Sequence, residues 1–121
     1  MAQDLNEGKT RIIQELVPGK QITLAHIIAN PDVEIYIKLG LDPADEHTGA
    51  IGIVTMTPAE TAIIAADIAT KASGVDLGFV DRFSGTLIIT GTVSQVEASV
   101  VAVTTYIRNT LGFTVCQITK T

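Results

Sequence analysis

The stretch AIGIVTMTPAETAIIAADIATKA, residues 50–72, decides the fold. Its first part, 50–57, is a short apolar run of strand length. Thr57-Pro58-Ala59-Glu60 then reads as a capping box with proline at the first helical position, where its missing N–H would be unpaired anyway. The helix it opens is expected to run to about Ser73 and to stop at Gly74. Ala62, Ala65, Ala66, Ala69 and Ala72 recur along it, and such small side chains let a neighbouring backbone come close. Asp67 and Lys71 stand four apart on one face, a pair that adds only about 0.3 kcal/mol to an isolated helix.

Downstream, VDLGFV at 75–80 alternates as a strand, and Thr86–Thr90 forms another. Asp81-Arg82-Phe83-Ser84-Gly85 joins them as a hairpin-like connection. Ser94-Gln95-Val96-Glu97 reads as a second capping box. Val96, Val100, Val103, Ile107 and Leu111 then mark one helical stripe, ended by Gly112. The order strand, helix, strand, strand, helix is most of a split βαβ, or ferredoxin-like, α/β (α+β) unit.

The fourth strand of that unit has two candidates. One is FTVCQI at 113–118, directly after the second helix. The other lies upstream: 20–29, KQITLAHIIA, alternates at Ile22, Leu24, His26 and Ile28. It is followed by a short helix over roughly 31–39, with Asn30 as cap and Pro31 in the first turn. The second choice makes the chain a circular permutation, which costs little because chain ends tend to lie close together at the surface. Periodicity alone does not choose.

Further upstream, Arg11-Ile12-Ile13-Gln14-Glu15-Leu16-Val17 is a strand-like run closed by Pro18-Gly19. It lies outside the split unit. Its two readings are packing on the domain edge, or closure into a barrel with copies from other subunits, which would remove an exposed edge. Residues 1–10 are expected to be a flexible tail, 11–19 a strand and turn, and 20–121 the main domain.

Composition narrows the function. The 121 residues are 46% hydrophobic and 17% charged, enough for one compact core and against disorder. No apolar run is long enough to span a membrane, and the polar, acidic opening MAQDLNEGKT does not read as a secretory signal. Thirteen acidic against eight scattered basic side chains, with 4% aromatics, argue against nucleic acid as a partner.

Signals for catalysis are weak. Gly8-Lys9-Thr10 has only the tail of a phosphate loop, without its upstream glycine or strand. His26 lies within a strand and reads as structural. His47 sits with Asp42, Asp45 and Glu46 in the polar loop 40–49, where nothing fixes ligand geometry, so a solvated loop is the reading. Cys116 has no CxxC partner and reads as a small buried residue. Ser84 lies in FSG, not GxSxG, with no strand-to-helix elbow after it. Asp81 and Arg82 lack any third partner. No catalytic, cofactor or metal site is expected.

Taken together, RIIQELVPGKQITLAHIIANP at 11–31, residues 50–72, and GFVDRFSGTLIITGTVSQVEASV at 78–100, with the ending CQITKT, resemble a known family. It is that of the circularly permuted, single-domain shell proteins of bacterial microcompartments, of the EutS, PduU and CutR types. The resemblance implies hexameric tiles of a polyhedral shell in the cytoplasm, around enzymes that make and consume an aldehyde in ethanolamine, propanediol or choline use. It makes 20–29 and 31–39 the transplanted elements, and Arg11–Val17 the strand of a six-stranded barrel on the hexamer axis.

The resemblance also implies that Asp81, Arg82, Phe83, Ser84 and Gly85 line the centre. Lys71 stands where an edge lysine meets the next hexamer, and Ala29-Asn30-Pro31 replaces an arginine-containing edge turn, which puts the arginine contact in doubt at Asn30. Partners implied are the homohexamer, other shell proteins, and encapsulated enzymes or their targeting peptides. The alternative reading is an oligomeric ferredoxin-like small-molecule-binding or signalling subunit.

Overall fold

The computed structural model of the chain describes residues 19–41 and 49–121, with the backbone of 6–7 and 9–10. The expected strand at Arg11–Val17, the histidine at 47 and Gly8 lie outside the described residues. Near the start, β1 (Asn6–Glu7) pairs antiparallel with β2 (Lys9–Thr10).

The main sheet is built from β3 (Gln21–Ala29), β4 (Gly49–Thr57), β5 (Asp76–Asp81) and β6 (Thr86–Thr92). Their order is β5-β6-β4-β3, each pair antiparallel. Two helices, α2 (Thr61–Ala72) and α3 (Val93–Asn109), follow β4 and β6. The short helix α1 (Val33–Lys38) follows β3. β4-α2-β5 thus spans β6, which lies between its two strands, and this is the split βαβ connection. The slot beside β4 belongs to β3, an element placed before the unit in sequence. This ferredoxin-like sheet is circularly permuted.

The 113–118 run does not form the fourth strand. Only β7 (Thr114–Val115) forms within it, and β8 (Thr119–Lys120) follows beyond it, both parallel to β3 on its outer edge. The physical reason is occupancy: β3 satisfies β4 over Gln21–Ala29, and the tail finds only β3's far side free.

Alternation sorts the two faces. Ile22, Ala25 and Ile27 on β3, Ala50, Val54 and Met56 on β4, and Leu87 and Ile89 on β6 enter the core beneath the helices. From above, Ala62, Ala65, Ala66 and Ala69 on α2 and Val96, Val100, Val103 and Ile107 on α3 close it. At Gly52 an added Cβ would sit 2.9 Å from both Ile89 Cγ1 of β6 and Val96 Cγ1 of α3, so little space separates the sheet from α3.

Three helix starts differ from the sequence expectation. Thr57-Pro58, a cis peptide, does not cap α2. Glu60 is the cap residue, without a side-chain bond. The first amides instead find the backbone carbonyls of Pro58, Ala59 and Glu60, while Thr57 completes β4 opposite Gln21. The capping box of α3 is Thr92-Val93-Ser94-Gln95, two residues earlier than Ser94–Glu97. Both tetrads fit the pattern, but Glu97 is taken by Lys120. Asp32, not Asn30, caps α1 through the Glu34 amide at 3.0 Å. Asn30 is instead held at φ 51° while its amide donates to the Gly49 carbonyl, which turns the chain out of β3.

Candidate functional site

The turn Asp81–Gly85 is built by its own first residue. Asp81 Oδ1 accepts the Phe83 amide and Oδ2 accepts the Ser84 hydroxyl, each at 2.8 Å. The Gly85 amide closes back on the Asp81 carbonyl at 2.9 Å. Those bonds favour the carboxylate: the Phe83 amide first, then the Ser84 hydroxyl, hold Asp81 below its ordinary pKa against a smaller opposing effect of burial. The Gly85 carbonyl accepts the Met56 amide, and a Cβ at Gly85 would lie 2.1 Å from Met56 O. With φ at +75°, only glycine suits the position.

What the turn presents is a cation and a ring. The Arg82 guanidinium carbon lies 4.8 Å from the centroid of Phe83, and Phe83 is 80% exposed. Ser84 donates to Asp81 Oδ2 and lies 3.0 Å from Thr86 Oγ1, and a carboxylate held below its ordinary pKa by these bonds is a weak base for activating a hydroxyl. The turn therefore offers a rigid, exposed loop with a fixed charge pattern, not a nucleophile.

Lys71 lies elsewhere, on the outer face of α2. Its Nζ is 3.0 Å from Asp67 Oδ2, with both side chains largely in solvent. The pair rims an open groove of about 420 Å³ lined by Ile64, Asp67, Ile68, Lys71, Ala72 and Tyr106. Asn30, exposed at the end of β3, does not line it. Tyr106 carries no sequence signal of this role; it falls outside the buried stripe of α3, and that is the one pointer available.

Cys116 is half-buried, its amide donating to the Ile22 carbonyl, and burial pushes its thiol pKa up, away from the reactive thiolate. His26 is bonded at both ring nitrogens, to Thr119 Oγ1 at 2.6 Å and Thr121 Oγ1 at 2.9 Å. Among the described residues no three His, Cys, Asp or Glu side chains converge on a metal position, and no helix is long and apolar enough to cross a membrane.

The family model described as BMC domain matches residues 50–119. That match starts at β4 and so leaves β3 ahead of it. The bacterial microcompartment shell protein EutS of Salmonella typhimurium is 53% identical over 113 residues, covering 93% of this chain and 98% of its own. The shell protein CutR of Streptococcus intermedius is 54% identical over 110 residues, covering 91% of each. A solved structure described as a CutR flat hexamer superposes with a TM-score of 0.80 at 53% identity, covering 92% of this chain and 99% of that one.

Proposed function

The chain belongs to the BMC-domain shell proteins of bacterial microcompartments, of the EutS, PduU and CutR type, and from that premise we propose that it is a hexameric tile of such a shell in the cytoplasm. Its work is structural rather than catalytic. The observation that carries this reading is the agreement along almost the whole of a CutR chain that forms a flat hexamer, including the permuted β3. A closed ring of identical subunits uses two different surfaces of each copy, and its repetition builds area from modest contacts.

In this reading the shell encloses an ethanolamine- or propanediol-type pathway with an aldehyde intermediate. The exposed turn Asp81–Gly85 lines the centre of the ring, where repeated Arg82 and Phe83 side chains set its charge and width. Lys71, with the groove beside it, faces the adjacent tile, and Asn30 stands at that edge without the charge of an arginine. Encapsulated enzymes or their targeting peptides dock on the assembled tile. A solution mass of six subunits, with ordered sheets in electron micrographs of concentrated protein, is the expected result. A stable monomer that forms neither ring nor sheet would refute it.

A further inference from the structure

The outer edge of β3 is closed by the chain's own C-terminal residues. The amides of Thr114, Cys116 and Thr121 donate to the carbonyls of Lys20, Ile22 and Ile27 at 3.1, 3.1 and 2.9 Å. This pairing is broken. β7 and β8 each hold two residues, and Thr23, Leu24 and Ala25 between them have no strand partner on that side, though the Thr119 hydroxyl also lies 3.5 Å from the Ala25 carbonyl. Side chains make up the difference. His26 takes the Thr119 and Thr121 hydroxyls on its two ring nitrogens, and Lys120, pointing the other way, pairs with Glu97 on α3. The end of the chain is thus clasped from both sides, by β3 and by a helix.

The edge beneath the clasp is hazardous. Gln21–Ala29 reads QITLAHIIA, with no Asp, Glu, Lys, Arg, Pro or Gly. After an irregularity at Thr23, Leu24–Ala29 runs unbroken against β4. Short uncharged segments of high β-propensity without proline are the ones that add to copies of themselves. The other edge of the sheet, β5, is protected differently, by Asp76 and Asp81 at its ends and an irregularity at Gly78. β3 has no such charge of its own.

We propose that the C-terminal strap, residues 114–121, is a guard that keeps the β3 edge from pairing with β3 of a second copy. The partner on release is that same segment, because it is uncharged and complementary to itself. With the strap closed, copies meet through their other surfaces and not edge to edge.

The test is the full chain carrying Thr119→Ala, Lys120→Ala and Thr121→Ala, which leaves β3 unaltered. Amide exchange at Cys116 and at position 121 is expected to quicken by roughly tenfold. Light scattering and thioflavin fluorescence should rise with protein concentration above those of the parent. Adding Thr23→Lys, an edge charge on β3, should return both to the parent's level. Unchanged exchange would overturn the clasp. Faster exchange without association, or association that Thr23→Lys leaves in place, would overturn the guard. Tile formation by the parent is read separately by its mass.

Discussion

Ser99 donates its hydroxyl to the carbonyl of Ala69 across 2.7 Å, at a position with no solvent exposure, and so ties α3 to α2. Ser73, at the end of α2, lies 2.8 Å from the same hydroxyl and 2.8 Å from the Gln95 carbonyl. Two protons therefore serve three short contacts. Ser99→Ala leaves Ser73 bonded to Gln95 but takes the helix-to-helix donor from Ala69. The expected loss is about 1–2 kcal/mol, read as a lower urea midpoint at unchanged slope. A midpoint equal to the parent's would show that the contact is incidental to stability.

Gly85 and Gly112 have nearly the same backbone, φ +75° and +76°, in different surroundings. An added Cβ at Gly112 meets nothing within 4 Å, whereas at Gly85 it meets Met56 O at 2.1 Å. Gly112→Ala is expected to cost only the left-handed penalty of about 1–2 kcal/mol. Gly85→Ala should cost more than about 3 kcal/mol, because the turn has to leave β4 as well. Equal costs in thermal or urea unfolding would contradict the role given to the Met56 contact.

The large elements were legible because each carries its own pattern. The strand over 20–29, the alanines of 61–72 and the stripe Val96–Val100–Val103–Ile107 match the observed strand and helices within a few residues, but the irregularity at Thr23 shifts the phase of β3, so that Ala25 and Ile27 are buried rather than Leu24, His26 and Ile28. Cap positions were not, because the pattern S/T-x-x-E/Q fits Thr92 and Ser94 equally; in the folded chain Gln95 closes the box on Thr92 while Glu97 pairs with Lys120. Periodicity left the slot beside β4 open for a tertiary reason, since whether FTVCQI or KQITLAHIIA takes it depends on competition between distant segments; the family resemblance selected 20–29, and the sheet order bears that out. The turn Asp81–Gly85 could be read as a turn, but its bonding, with one carboxylate serving Phe83 and Ser84, needed geometry. The groove beside Tyr106 joins two helices and has no local signature.

Asp81 makes the turn sensitive to acid. Its folded-state pKa is depressed, chiefly by the Phe83 amide and then by the Ser84 hydroxyl. The stabilisation is complete above the unfolded aspartate value and is lost as pH falls through the folded one. The Phe83 amide resonance should therefore titrate with a midpoint below the ordinary aspartate range, and Asp81→Asn should abolish that titration while leaving the rest of the spectrum in place. A Phe83 amide that does not move with pH would rule out this assignment.

Lys71→Ala separates ring formation from tiling. Within the subunit it removes one exposed ion pair with Asp67, which contributes about 0–1 kcal/mol, so folding and the hexamer should survive. Between tiles the same side chain would recur at every edge. A loss of about 0.5 kcal/mol at one contact is roughly twofold, and across the edges of a hexagonal tile such factors multiply to ~60-fold. The expected outcome is an unchanged solution mass with smaller and less ordered sheets in electron micrographs at equal protein concentration. Sheets of undiminished size and order would place the contact between tiles somewhere other than the groove of Ile64, Lys71 and Tyr106.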